Sequence, residues 1–182
     1  MLGRAFWFVT ALSSLLTLAR FSDAFLILRG DSLGLSAAYA PAILIAMNIV
    51  YSLSAWPAGV LSDRIGRTGM LTAGIIVLIA ADLVLALAAG PVLLFVGAFL
   101  WGLHMGLTQG ILTAIVANAA PAHLRGTAFG MYNLMTGVAL LIASVLAGAL
   151  WKYQGPEYAF IAGAIFSAVA LAGFLLLKGK KT

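Results

Sequence analysis

Gly59-Val60-Leu61-Ser62-Asp63-Arg64-Ile65-Gly66-Arg67-Thr68-Gly69 is a short charged break between two long apolar runs. The run before it covers about residues 36–60 and the run after it about 68–89. A helix needs ~20 apolar residues to cross the hydrocarbon core of a bilayer, and each run is of that size. Working outward in both directions, the same pattern repeats. Six apolar runs lie at about 5–28, 36–60, 68–89, 91–117, 125–150 and 158–177, separated by short polar breaks. The spacing predicts an all-α polytopic membrane protein, with residues 1–182 forming one bundle of six transmembrane helices.

Composition points the same way. The chain is 64% hydrophobic and 8% charged, whereas soluble domains carry about 25% charged residues. Too few charges are present to clothe a soluble core. With no cysteine, disulfides and thiolate metal sites are excluded. No metal site and no cofactor are expected. The net charge of +5 is too scattered for a nucleic-acid surface and fits juxtamembrane anchoring. Arg4 followed by an apolar run resembles a signal peptide, but the run is long for that and five more follow, so a retained span is expected.

All five prolines fit helix ends: Pro41 in the first turns of the second run, Pro57 in its last, Pro91 opening the fourth, Pro121 in a break and Pro156 before the sixth. Helices satisfy their own backbone in lipid, and the alternation of a β-barrel is missing. Arg4, Arg64, Arg67, Arg125, Lys178, Lys180 and Lys181 fall on one side, against Arg29 and Lys152 on the other. That bias places both termini in the cytoplasm. Trp7, Trp56 and Trp151 lie near predicted ends, as interfacial tryptophans do; Trp101 lies deeper.

In the charged break, Gly59 and Gly66 allow a sharp turn. Asp63 can accept N–H bonds at a nearby helix start, and Arg64 and Arg67 can pair with it. The alternative is an ordinary positive loop. At Gly59, Asp63, Arg64, Gly66 and Arg67 the chain resembles the loop signature of the major facilitator superfamily, with Thr68 replacing its last basic residue. The stretch Arg20-Phe21-Ser22-Asp23-Ala24-Phe25-Leu26 is similar to the seventh helix of bacterial members, and Leu124-Arg125-Gly126-Thr127-Ala128-Phe129-Gly130 to the entry of the eleventh. The resemblance implies the carboxy-terminal half of a twelve-helix transporter, in the bacterial cytoplasmic (inner) membrane. It implies for Asp63 a latch against a helix start that stabilises one transport state. It also implies a second six-helix half, as homodimer or heteromer, to complete the pathway around a midplane site. A fragment, or a half reused as a subunit of a larger membrane complex, are the other readings.

Charges inside a bilayer usually face protein or water. Arg20 and Asp23 are three apart on the first predicted helix and can pair, below a polar stripe of Ser13 and Thr17. They are either a substrate or proton site or a structural pair. Asn48 and Tyr51, with Ser52 and Ala55, line a pathway or bond a neighbouring helix. Asp82 reads as a packing contact. Trp101, His104, Met105, Thr108 and Gln109 fall within about two turns; Trp101, His104 and Gln109 read as a cavity surface. Gly102, Gly106 and Gly110 form a stripe for close helix packing. A second small-residue series runs through Gly126, Gly130, Gly137, Ala143 and Ala147. No nucleophile, base and orienting group form a set, so no enzyme is expected. The leading expectation is a half-length transporter of a small solute by alternating access. The competing one is a structural or assembly subunit that transports nothing.

Overall fold

The computed structural model describes residues 1–179, with the side chains of Phe174 and residues 176–179 left aside. Lys180 and Lys181 of the basic carboxy terminus lie outside the described residues, and nothing is said of the Lys178 side chain. The described chain is helical throughout: α1 (Arg4–Leu18), α2 (Ala24–Ser32), α3 (Ala40–Ala86), α4 (Pro91–Ala119), α5 (Arg125–Tyr153) and α6 (Pro156–Gly179), with short 3-10 turns at Ala37–Tyr39 and Ala122–Leu124. Among the described residues, four stretches are long and apolar enough to cross a membrane: Ala37–Ala86, Pro91–Ala119, Ala122–Tyr153 and Pro156–Gly173. Arg4–Leu18 is a shorter apolar helix.

Two expectations are corrected. The first run is not one helix over 5–28, because residues 19–23 separate α1 from α2. Serine and aspartate offer the backbone non-helical partners, and Ser22 Oγ accepts from the Ala24 N–H at 3.3 Å. The Ser22 N–H in turn donates to Ser144 Oγ on α5 at 3.2 Å. Phe21 anchors the break, its ring lying 4.9 Å from Phe25, 5.5 Å from Trp101 and 5.3 Å from Phe160, centre to centre.

The second correction concerns the charged break at 61–67, where the turn expected at Gly66 is present but is confined to that residue, with helix on both sides instead of a longer loop. The α3 helix continues to Ile65, turns at Gly66 (φ 80°, ψ 151°) and resumes at Arg67. A straight helix of 47 residues would run about 70 Å, more than twice the hydrocarbon thickness. Gly66 takes a left-handed φ that other residues adopt at a penalty, and the chain folds back there. Both arms then lie along α4: Met47 and Ser54 of the first arm meet Gly102 and Gly106, while Gly74 and Leu85 of the second arm meet Thr108 and Gly97, in reverse order. Pro57 consequently lies inside a helix, not in its last turn.

The core sorts by height. Leu26, Ile43, Leu78, Leu85, Leu94, Trp101 and Phe160 fill the main cluster. Smaller clusters, Phe6 with Val116 and Ala128, and Ala58 with Met70 and Ile111, close the end that carries Arg64, Arg67 and Arg125. At the opposite end Arg29 is buried and donates to three backbone carbonyls, Leu85 at 3.0 Å, Ala86 at 3.0 Å and Ala88 at 2.9 Å. A guanidinium there adds a donor to carbonyls at, and just beyond, the last turn of α3.

Candidate functional site

The break between α1 and α2 lies level with the middle of α4. Irregular backbone at membrane depth is tolerated where it is buried in protein or lines a cavity. Both conditions hold. On one side, Trp101 is fully buried and its Nε1–H donates to Asp23 Oδ1 at 2.9 Å. On the other, Arg20 enters a cavity of about 350 Å³ walled by α1, α3, α4, α5 and Ser167 of α6.

The cavity lining is mixed. Arg20, His104, Thr108, Gln109, Tyr132, Asn133 and Thr136 supply polar groups, among apolar residues such as Ile75, Leu78 and Leu140. Asn133 and Thr113 are exposed at its rim, so the cavity opens to the surface. His104 is buried and its Nδ1 lies 2.8 Å from the Gly74 carbonyl oxygen. A carbonyl only accepts, so Nδ1 carries the proton and Nε2 is the nitrogen left for other partners. Gly74 permits this approach, since a side chain there would run into Thr108.

The residues singled out from the sequence are thus divided. Arg20, His104 and Gln109 meet in the cavity. Asp23 and Trp101 pair with each other outside its lining, so Trp101 is a core residue instead of a cavity surface. Arg20 and Asp23 do not share a helix face, because α1 ends at Leu18 and α2 begins only at Ala24, and they form no ion pair. Asn48 is exposed and donates to the Leu44 carbonyl at 2.8 Å on its own helix. Tyr51 is half-buried against the main cluster. Neither lines the cavity.

In the charged motif, Gly59 lies within a helix, and Asp63 and Arg64 are exposed near the end of the first arm. Among the described residues Asp63 makes no ion pair and caps no helix. Arg67 instead reaches the end of α4. With the amide oxygen of Asn118 turned towards it, the guanidinium donates at 2.7 and 3.2 Å. Gly102 and Gly106 lie against backbone and side-chain atoms of Met47, Tyr51 and Ser54. Gly110 faces open space, so the packing stripe ends one turn early. Asp82 is fully buried, and Gly163 of α6 leaves the room that its carboxyl occupies. Neither carboxyl oxygen has a hydrogen-bond partner among the described residues.

Sequence reasoning passed over Tyr132, Asn133 and Thr136 on α5. Their signal was present: three polar groups within five residues of an apolar span, on one helical face. The glycine series around them drew the reading towards packing instead.

A family model for the Major Facilitator Superfamily matches residues 5–182. The chain belongs to this superfamily and is an integral membrane protein. It is 34% identical over 172 residues to an uncharacterized MFS-type transporter of Methanocaldococcus jannaschii, covering 91% of this chain and 42% of that protein. It is 33% identical over 120 residues to an uncharacterized MFS-type transporter of Bacillus subtilis, covering 65% of this chain and 28% of that one. Among solved structures, a POT family transporter in complex with 5-aminolevulinic acid superposes with a TM-score of 0.75 at 20% identity, covering 96% of this chain and 37% of that chain. The chain therefore spans less than half the length of these proteins.

Proposed function

We propose that this chain forms one six-helix half of a facilitator-type transporter and supplies one wall of its solute pathway. On this reading α1 with α2 makes the first span, and the two arms of α3 make the second and third, on either side of Gly66. Helices α4, α5 and α6 complete the six. Arg64, Arg67 and Arg125 face the cytoplasm, as do both termini, and Asp63 works with them at that surface. A second half, another copy or a separate six-helix chain, closes the pathway, and a small solute crosses between the halves by alternating access.

The observation that carries this reading is the polar cavity at mid-height beside a broken helix. Discontinuous helices commonly frame transporter binding sites, and a cavity of ~300–1,000 Å³ is the usual size for a small-molecule site. The competing reading, a subunit that only braces a larger complex, needs no access to this cavity from both sides.

The chain has no cysteine, so a single Asn133→Cys variant reports on the cavity without background. Labelling by a membrane-impermeant maleimide in vesicles of each orientation is expected to proceed from either side. Reaction from one side only, together with a native particle of many non-transporter chains, would favour the bracing role. A gently extracted particle containing two six-helix units is the expected result.

A further inference from the structure

Arg20 brings a positive charge into the cavity, and no acidic side chain among the described residues neutralises it. All five acidic residues are accounted for. Asp23 lies outside the cavity lining and takes the Trp101 N–H. Asp82 is sealed against Gly163 with no partner. Asp63 is exposed on the α3 arm at the end that carries Arg64 and Arg67. Asp31 and Glu157 belong to the opposite end, on the last turn of α2 and the first of α6. No acid is found among the cavity-lining residues. Arg20 is half-buried and makes no ion pair among the described residues.

Other residues of the lining add hydrogen-bond donors to the same cavity. Gln109 and Asn133 each carry an amide with two N–H donors, and Tyr132 a phenolic O–H. Arginine's planar fork matches a carboxylate or phosphate in two parallel hydrogen bonds.

We propose that the cavity binds an anion, a carboxylate or phosphate group, on Arg20, with Gln109 and Asn133 donating beside it. The proposal rests on the reading of this cavity as a solute site. It excludes an uncharged polyol as the preferred ligand.

The test uses the purified chain in nanodiscs of phosphatidylcholine alone, with succinate and inorganic phosphate as probes. Succinamide and myo-inositol are the uncharged controls, at matched ionic strength. Thermal stability and equilibrium dialysis are the readouts. The anions are expected to raise the melting temperature and bind saturably. Arg20→Gln should weaken them roughly tenfold or more, while Arg20→Lys, which keeps the charge, should weaken them less. Should Arg20→Gln not fold, the contrast between succinate and succinamide carries the test by itself.

Equal or tighter binding of succinamide or myo-inositol would overturn the anion assignment and leave the solute cavity standing, as would full anion affinity in Arg20→Gln. If no probe binds and cysteine at position 133 is unreactive from both sides, the cavity reading itself falls, and the proposal with it. Nanodiscs containing phosphatidylglycerol separate the two sources of such a group. Arg20-dependent stabilisation by that lipid alone would keep the anion site and make its occupant a headgroup.

Discussion

Two glycine series of similar spacing behave in opposite ways. On α4, Gly102 and Gly106 sit where a side chain would strike the backbone and side chains of the first α3 arm. On α5, Gly126, Gly130 and Gly137 have nothing within 4 Å of the place a Cβ would take. One series makes a closed wall and the other belongs to an open one. The large apolar residues agree, since Leu134, Val138, Leu141 and Val145 of α5 are exposed, while Leu94 and Trp101 of α4 are fully buried. Small residues at fixed spacing permit close approach, but a partner surface must be there to use it. The polar cavity lies between the two walls.

Substitutions can break or sharpen this contrast. The largest effect is expected for Gly102→Leu, which drives a side chain into the Met47 backbone. Overpacking of this kind should lower stability by about 3 kcal/mol, read as a fall in denaturation midpoint in detergent. An unchanged midpoint would mean the α3–α4 wall is not closed. Arg29→Met removes three side-chain hydrogen bonds to carbonyls at the end of the same wall. A loss of about 2–3 kcal/mol is expected in the same assay. Trp101→Phe keeps the ring packing and removes the N–H from Asp23. About 2 kcal/mol should be lost, with little further loss on adding Asp23→Asn, because the two act as one pair. Additive losses in that double-mutant cycle would mean the hydrogen bond contributes nothing.

Gly66→Ala meets no steric neighbour but must hold a left-handed φ. It should cost about 1–2 kcal/mol through backbone strain alone, with Gly69→Ala as the control on ordinary helical backbone. On the open wall, Gly130→Ala should be neutral or stabilising by roughly 0.5 kcal/mol, since alanine favours helix and meets no neighbour. A large destabilisation there, in the isolated chain, would show that the α5 face is already covered.

Much of the architecture was legible in advance. The apolar runs at 91–117 and 125–150 fall within α4 and α5, because the hydrophobic length that lipid demands is a local property. The first run misled for an equally physical reason. Its hydropathy is continuous, but Ser22 and Asp23 divert backbone and side-chain hydrogen bonds out of the helix. The site was half legible. His104 and Gln109 stood out as polar groups in an apolar run, whereas Asn48 looked equivalent and faces outward. Helical spacing reports which residues share a face and is silent on what that face meets. Arg29 gave no local sign of its role, as its three acceptors lie more than fifty residues away.

The sequence by itself determined that this chain lives in a bilayer, that it is helical, and that the motif around Asp63 and Gly66 places it among the facilitators. The first two follow from composition and run length, and the third from the resemblance of the motif to a family signature; none depends on how the helices are arranged. Only the tertiary structure decided that Asp23 belongs to Trp101, that Arg20 is left without an acid, and that α5 contributes Tyr132, Asn133 and Thr136 to the same cavity. Pairing across a bundle depends on rotation and depth of each helix against its neighbours. That information is held by all the contacts together and by no single stretch of chain.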